Sequence, residues 1–292
     1  MSPLQVFVTG GNSGIGYALV TVLASVHGCK VYLGARSPSK GEEAVRAIKA
    51  NFPSADIEFV QIDVTVEASV LTAASKIAEG SLHGLVNNAG VGLGTSNLDP
   101  GVDQSYLLET NLYGPKLVTS AFLSKLSVGG DARVVNIGSG SAATYMEGLA
   151  FHNKGSATQE QKATICDQTT VTWRTISSLV EVERSAKWAN GGARLAYALS
   201  KACLASYTCV LAKEHPSLTI TCVYPGFIDT AMTTGMLPGR ARKTPEEATV
   251  PIRKCLFERE GVTSGHFYGP DGLRSPLNKE RKAGEPEYAE KK

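Results

Sequence analysis

Between a short apolar run, Leu4 to Val8, and an amphipathic stretch that opens at Ile15 stands Thr9-Gly10-Gly11-Asn12-Ser13-Gly14-Ile15-Gly16. Glycines allow positive φ and close approach of a ligand to the backbone. A helix starting directly after them offers unpaired N–H groups and the positive end of its dipole. Apolar residues recur at Ile15, Leu19, Val22, Leu23 and Val26, one face of such a helix. Strand, glycine loop and helix in that order point to a pyrophosphate, hence to a dinucleotide, and to the first unit of a parallel α/β sheet. A glycine-rich turn present for steric reasons alone is the other reading of this stretch.

Further along, short apolar runs alternate with longer helix-patterned segments, the signature of βαβ units. The runs are Lys30 to Leu33, Ile57 to Gln61, Gly84 to Val86, Arg133 to Ile137, Leu218 to Val223 and Gly265 to Tyr268. Late helices are expected over Leu195 to Lys213 and Pro245 to Phe257. Two stretches break the rhythm. From about 142 to 192 a polar-mixed segment carries no strand pattern, but Trp173, Ile176, Leu179 and Val180 have helical spacing, so an inserted helical excursion is expected. From about 278 to 292 Lys, Arg, Glu, Gly and Pro mix, as in a solvated charged tail. Residues 1 to 277 are read as one domain, because the excess length lies in the insertion and the tail.

Composition fits this reading. Of 292 residues, 42% are apolar and 19% charged, enough for a sizeable core and unlike a disordered chain. Twenty-nine basic against 27 acidic residues leave +2, too little for a phosphate-tracking surface, so no nucleic-acid partner is expected and small molecules are. Six scattered cysteines form no C-x-x-C pair and have no histidine spaced to complete a zinc site, so no metal is expected. No long uninterrupted apolar run, signal-peptide pattern or N-x-Ser/Thr site is found, and the expected compartment is cytoplasmic, without membrane contact.

At the end of the second strand come Gly34-Ala35-Arg36-Ser37. An acid near this point would accept from a ribose 2′-OH, whereas an arginine can pair with a 2′-phosphate. Arg36 therefore predicts NADP(H), unless it is an ordinary exposed loop arginine. Tyr197-Ala198-Leu199-Ser200-Lys201 sets a phenol and an ammonium four apart on a helix, hence on one face. A phenol titrates near pH 10 in water, and a neighbouring cation favours its phenolate.

The loop spacing Thr-Gly-x-x-x-Gly-x-Gly together with Tyr-x-x-x-Lys resembles the short-chain dehydrogenase/reductase family. The likeness extends, in the family's order, to Asp63-Val64, Asn87-Asn88-Ala89-Gly90, Asn111, Ser139, and Pro225-Gly226 with Thr230. It implies a Rossmann-type doubly wound parallel sheet of seven strands, order 3-2-1-4-5-6-7, with a helical insertion. It implies that Tyr197 is the general acid for carbonyl reduction and that Ser139 binds the substrate oxygen, with Ser141 as the alternative hydroxyl. Lys201 would bind the nicotinamide ribose and lower the Tyr197 pKa, and Asn111 would support a proton relay. The implied cofactor contacts are Thr9, Gly10, Asn12, Ser13, Gly14, Ile15, Gly16, Arg36, Asp63, Val64, Asn88, Ala89, Gly90, Tyr197, Lys201, Pro225, Gly226 and Thr230. Asn87 is expected to be structural.

One departure stands out. The family's serine and tyrosine usually lie about a dozen residues apart, whereas Ser139 and Tyr197 are separated by the whole insertion. That resembles the monomeric carbonyl reductases and predicts a monomer. Phe227 to Thr244, with Met232, Gly235, Met236, Leu237 and Gly239, reads as a substrate lid for a hydrophobic ketone, aldehyde or quinone, or equally as ordinary packing. A non-catalytic NADP sensor and an epimerase or dehydratase of the family's extended branch are the competing readings. The extended branch's Thr-Gly-x-x-Gly-x-x-Gly is not what stands here.

Overall fold

The structure is a computed structural model and describes residues 3–92, 104–127, 131–148, 155–186, 192–237, 239, 241–281 and 284–289. Parts of the expected insertion (149–154 and 187–191), two lid positions (238 and 240) and tail residues 282, 283 and 290–292 lie outside the described residues.

The first half runs β1 (Gln5–Thr9), α1 (Gly14–Ser25), β2 (Lys30–Ala35), α2 (Pro38–Asn51), β3 (Ile57–Gln61), α3 (Glu67–Ser75) and β4 (Gly84–Asn87). Next come α4 (Gln104–Leu108), a π-helical turn over Glu109–Tyr113, α5 (Gly114–Phe122) and β5 (Arg133–Ile137). The insertion follows as α6 (Ser141–Met146), α7 (Gln159–Cys166) and α8 (Trp173–Ser185). The chain then returns through α9 (Gly192–Glu214), β6 (Thr219–Val223), α10 (Pro245–Phe257), β7 (Phe267–Tyr268) and β8 (Arg274–Ser275).

Seven strands pair in parallel in the expected order, β3-β2-β1-β4-β5-β6-β7, and β8 adds an antiparallel eighth at the edge. The expectation of seven missed β8 because two residues are too few to show a period. β1, β2, β4 and β5 are apolar almost throughout, as strands buried on both faces must be. α1, α2 and α10 cover one face, while α3, α4, α5 and α9 cover the other. The order reverses between β1 and β4, so the loops leaving their C-terminal ends run to opposite faces of the sheet and open a crevice there.

No uninterrupted apolar run long enough for a bilayer occurs in α9, which Ser200 and Lys201 interrupt. Its length and composition would let it cross one, but 89% of its most apolar stretch is buried. It is a core helix with the sheet on one side and the insertion on the other. Ser206 Oγ donates to the Ile165 carbonyl at 2.6 Å and Lys213 Nζ to that of Val171 at 2.5 Å, while Trp173 meets Tyr207 edge-on at 5.3 Å.

The charged end of the chain is also corrected, because it folds back on β8 rather than standing in solvent. Arg281 is buried and pairs with Asp271, and its guanidinium donates to the Glu285 carbonyl at 2.7 Å. Tyr288 N–H reaches the Arg274 carbonyl at 3.1 Å. Charge composition alone did not show that one arginine has its acid within the fold.

Candidate active site

A cleft of about 480 Å³ opens at the C-terminal ends of the strands. Its floor at one end is the glycine loop. Gly10 takes φ +65°, and a Cβ on Gly16 would run into the Gly10 carbonyl oxygen and Asn88 Nδ2, so both positions need glycine. Ser13 caps α1 without any side-chain hydrogen bond to the first-turn N–H groups, and Asn12, Ser13, Gly14, Ile15 and Gly16 all line the cleft. Uncapped donors at the end of a twelve-residue helix face into it.

Thr9 does not belong to the lining. It is buried, and its hydroxyl donates to the Val86 carbonyl at 3.3 Å and accepts from the N–H groups of Asn88 and Ala89, both at 3.0 Å. Asn88 Nδ2 returns to the Thr9 carbonyl at 2.8 Å. Thr9 thus pins the ends of β1 and β4 together and shapes the crevice from behind, which corrects its expected place as a cofactor contact. Asn88, Ala89 and Gly90 form the wall it fixes.

Beyond the second strand Arg36, Asp63 and Val64 line the same end. Asp63 is held by its own turn, accepting from Thr65 N–H at 3.0 Å and from the Thr65 hydroxyl at 2.7 Å. Arg36 is exposed, and its Nη1 donates to the Tyr106 hydroxyl at 2.7 Å. Tyr106 also lines the cleft and was not among the expected residues. Nothing in its local pattern marked it, since α4 is only five residues long and its partner lies seventy positions away.

At the middle of the cleft stand Ser139, Tyr197 and Lys201. Ser139 follows β5 directly, and Tyr197 and Lys201 share one face of α9. Tyr197 and Ser139 line the same part of the cleft, and the Ser139 hydroxyl acts on the Tyr197 phenol. Ser141 also lines the cleft, but its N–H donates to Ser139 Oγ at 3.2 Å, so it starts α6 and orients Ser139. Lys201 Nζ donates to the Ile137 carbonyl at 2.8 Å, and burial lowers its pKa to about 8. Burial raises the Tyr197 phenol above its usual range, with the Ser139 hydroxyl offsetting part of the rise. The expected lowering of that phenol by Lys201 is not seen: burial is the largest effect on it, and the ammonium turns to the Ile137 carbonyl.

Asn111 stands behind the wall formed by Asn88, Ala89 and Gly90. It lies in the π-helical turn, fully buried, and is absent from the described lining. Its Oδ1 accepts from Val91 N–H and its Nδ2 donates to the Val91 carbonyl, each at 2.9 Å, with Ser200 Oγ at 3.2 Å. With its amide so engaged, the side chain holds the loop after β4. Asn87 is structural in the sense expected: buried, it donates to Thr119 Oγ1 at 3.0 Å and Asn136 Oδ1 at 2.8 Å, tying β4 to α5 and β5.

The far end is closed by Pro225, Gly226, Thr230 and the segment after them, including Phe227, Met232, Met236 and Leu237. A short parallel bridge between Ile228 and Lys243 closes the base of this segment, with Asp229 N–H on the Lys243 carbonyl and Lys243 N–H on that of Phe227, both at 2.9 Å. Arg194, Tyr224 and Glu280 also line this end, and none of the three was singled out in the sequence. Among the described residues no group of three or more His, Cys, Asp or Glu is placed to hold a metal.

A parallel sheet with a dinucleotide-type crevice and a Ser, Tyr and Lys set at its centre defines an oxidoreductase class. The family model for short chain dehydrogenase matches residues 5–152. The chain is 32% identical to (+)-neomenthol dehydrogenase of Arabidopsis thaliana over 91% of its own length and 96% of the relative's. The chain belongs to the short-chain dehydrogenase family. Among solved structures it resembles salutaridine reductase from Papaver somniferum, with TM-score 0.74 and 29% identity over 91% of this chain and 99% of that one. NADPH-bound carbonyl reductase from chicken fatty liver shares the fold, with TM-score 0.64 and 23% identity over 94% and 99% of the two chains.

Proposed function

We propose that this oxidoreductase reduces the carbonyl of a ketone, aldehyde or quinone with NADPH. The observation that carries the reading is that Ser139, Tyr197 and Lys201, the last one helical turn on from Tyr197, line one cleft together with the glycine loop and the apolar side chains of Phe227, Met232 and Met236.

The residues present fit the cofactor. Uncapped N–H groups of α1 suit a pyrophosphate, and Arg36 with the Tyr106 hydroxyl suits a 2′-phosphate. Asp63 and Val64 border the space for adenine, and Lys201, Asn88 to Gly90, Pro225, Gly226 and Thr230 border that for the nicotinamide riboside. When bound, NADPH supplies the hydride that adds to the carbonyl carbon.

The protein's own part concerns the oxygen. As charge develops there, Ser139 donates a fixed O–H bond and Tyr197 transfers its phenolic proton. Burial that keeps Tyr197 protonated at neutral pH suits an acid, and the charged form of Lys201 on the same helix face steadies the phenolate left behind. Phe227, Met232 and Met236 exclude water and favour an apolar substrate body. Relatives named as a neomenthol dehydrogenase and a salutaridine reductase support small-molecule substrates.

With α7 and α8 packed on α9, the outer face of that helix is occupied from within the chain, and this supports a monomer. The reductase reading is tested by NADPH oxidation against ketones, aldehydes and quinones with the Tyr197→Phe variant alongside. Turnover in the parent and a fall of about a hundredfold or more in the variant, with NADPH still bound, is expected. Undiminished turnover in the variant, or NADPH binding with no carbonyl reduced, overturns it.

A further inference from the structure

The chain end that folds back on β8 brings a carboxylate to the substrate end of the cleft. On one side of Glu280, Leu277 is buried. On the other, Arg281 is buried against Asp271, with Ser275 Oγ at 3.3 Å and the Glu285 carbonyl at 2.7 Å. Farther on, Arg274 N–H donates to Glu287 at 2.9 Å. Glu280 is thus carried by an anchored backbone.

Its side chain lines the cleft, and Oε1 accepts from the Tyr224 hydroxyl at 2.8 Å. Tyr224 in turn lies against Gly140, the residue after Ser139, where a Cβ would stand 2.9 Å from the tyrosine Cζ. Packing of Tyr224 on Gly140 and its hydrogen bond to Glu280 therefore set the carboxylate beside the loop that carries the carbonyl-binding serine. Phe227, Met232, Met236 and Leu237 line the same cleft. Among the described residues Glu280 forms no ion pair, and its second oxygen accepts no hydrogen bond.

A carboxylate covered by a neutral apolar ligand loses water without compensation, whereas a ligand cation replaces that water with a charge-assisted bond. We propose that Glu280 selects the substrate: the cleft takes carbonyl compounds carrying a protonated amine, whose N–H donates to the open Glu280 oxygen while the carbonyl sits at Ser139 and Tyr197. This deepens the reductase reading and rests on it. Arg194 lines the same cleft, so an anionic substrate is the competing outcome.

Three ketones of matched shape decide the matter: 4-(dimethylaminomethyl)cyclohexanone, its neutral isostere 4-isobutylcyclohexanone, and 4-oxocyclohexylacetate. Both kcat/KM with NADPH and calorimetric Kd for the NADP-loaded protein are measured. The amine is expected to exceed the neutral ketone by about tenfold in both quantities, a ratio that shrinks with added salt and falls toward one in Glu280→Gln. The amide oxygen of that variant still accepts from Tyr224, and the salt titration needs no variant. Equal ratios in the parent, a preference for the acetate, or an amine preference surviving in Glu280→Gln overturns the proposal. Selective binding of the amine without turnover of any of the three supports Glu280 as the selector and overturns reduction alone.

Discussion

At the residue scale, chemistry was easier to read than position. Spacing placed Tyr197 and Lys201 on one helical face and Ser139 beyond a strand end, and the fold brings all three to one cleft. Thr9 and Asn111 carry the right identities but face inward, because their polar atoms close the ends of β1 and β4 and the loop at Val91. A one-dimensional pattern gives the residue and not the direction of its side chain. Tyr106 shows the converse, a cleft residue known only through its bond to Arg36. With an arginine presenting several donors and a hydroxyl fixing one of them, Arg36→Ala should weaken 2′,5′-ADP binding about tenfold or more while leaving 5′-AMP within twofold. Tyr106→Phe should produce a smaller loss of the same sign, read by calorimetry, and an equal loss for both nucleotides would contradict the assignment. The pH dependence follows from the central pair. Reduction needs Tyr197 protonated and Lys201 charged; the phenol is raised and the lysine lowered to about 8, so the lysine deprotonates first as pH rises. kcat/KM for reduction should be level below about pH 8 and decline above it, and a profile rising through pH 8 would exclude this assignment.

At the element scale, the insertion was legible as length and as one amphipathic pattern. Ile176, Leu179 and Val180 are buried on α8 as their spacing implied. What holds the insertion was not legible. Glu183 lies on the same helix and is fully buried. Its Oε1 accepts from the Tyr145 hydroxyl at 2.9 Å and Ala157 N–H at 3.1 Å, and its Oε2 from Ser156 N–H at 2.7 Å. Lys162 lies over the Tyr145 ring at 4.5 Å, a cation beside the same group. An acid in a polar-mixed helix reads as solvated until α6 and the turn before α7 supply its donors, and those contacts are set only by tertiary packing. Glu183→Ala strands three donors in the interior and should cost about 3 kcal/mol of stability, seen as a lower urea midpoint with little change in slope. A loss below about 0.5 kcal/mol would mean that the insertion is held by its apolar contacts alone.

At the scale of the whole molecule, the alternation of strand and helix sufficed for one parallel sheet, because each crossover must return to the same sheet with the same hand, while the strand order followed from the family resemblance. It did not suffice for the edge, where β8 and the chain end depend on an ion pair between Arg281 and Asp271. Nor did local hydropathy reveal α9's place, since a helix enclosed by its own fold is apolar all round. That enclosure bears on assembly. A helix stacked on a second copy would need an exposed apolar stripe, yet the outer side of α9 is taken by α7 and α8: Leu195, Leu199 and Tyr207 lie in the same core as Ile165, Ile176 and Leu179. Among the described residues the exposed large apolar side chains that remain, such as Val26, Leu71 and Val250, are scattered over the end of α1, α3 and α10. Scattered side chains of this kind do not make an interface of the size that stable dimers use. Sedimentation equilibrium should therefore return a mass near the 30.8 kDa of one chain. A mass of twice or four times that value would place the interface on a surface other than α9, because opening α9 would expose the core that the insertion closes.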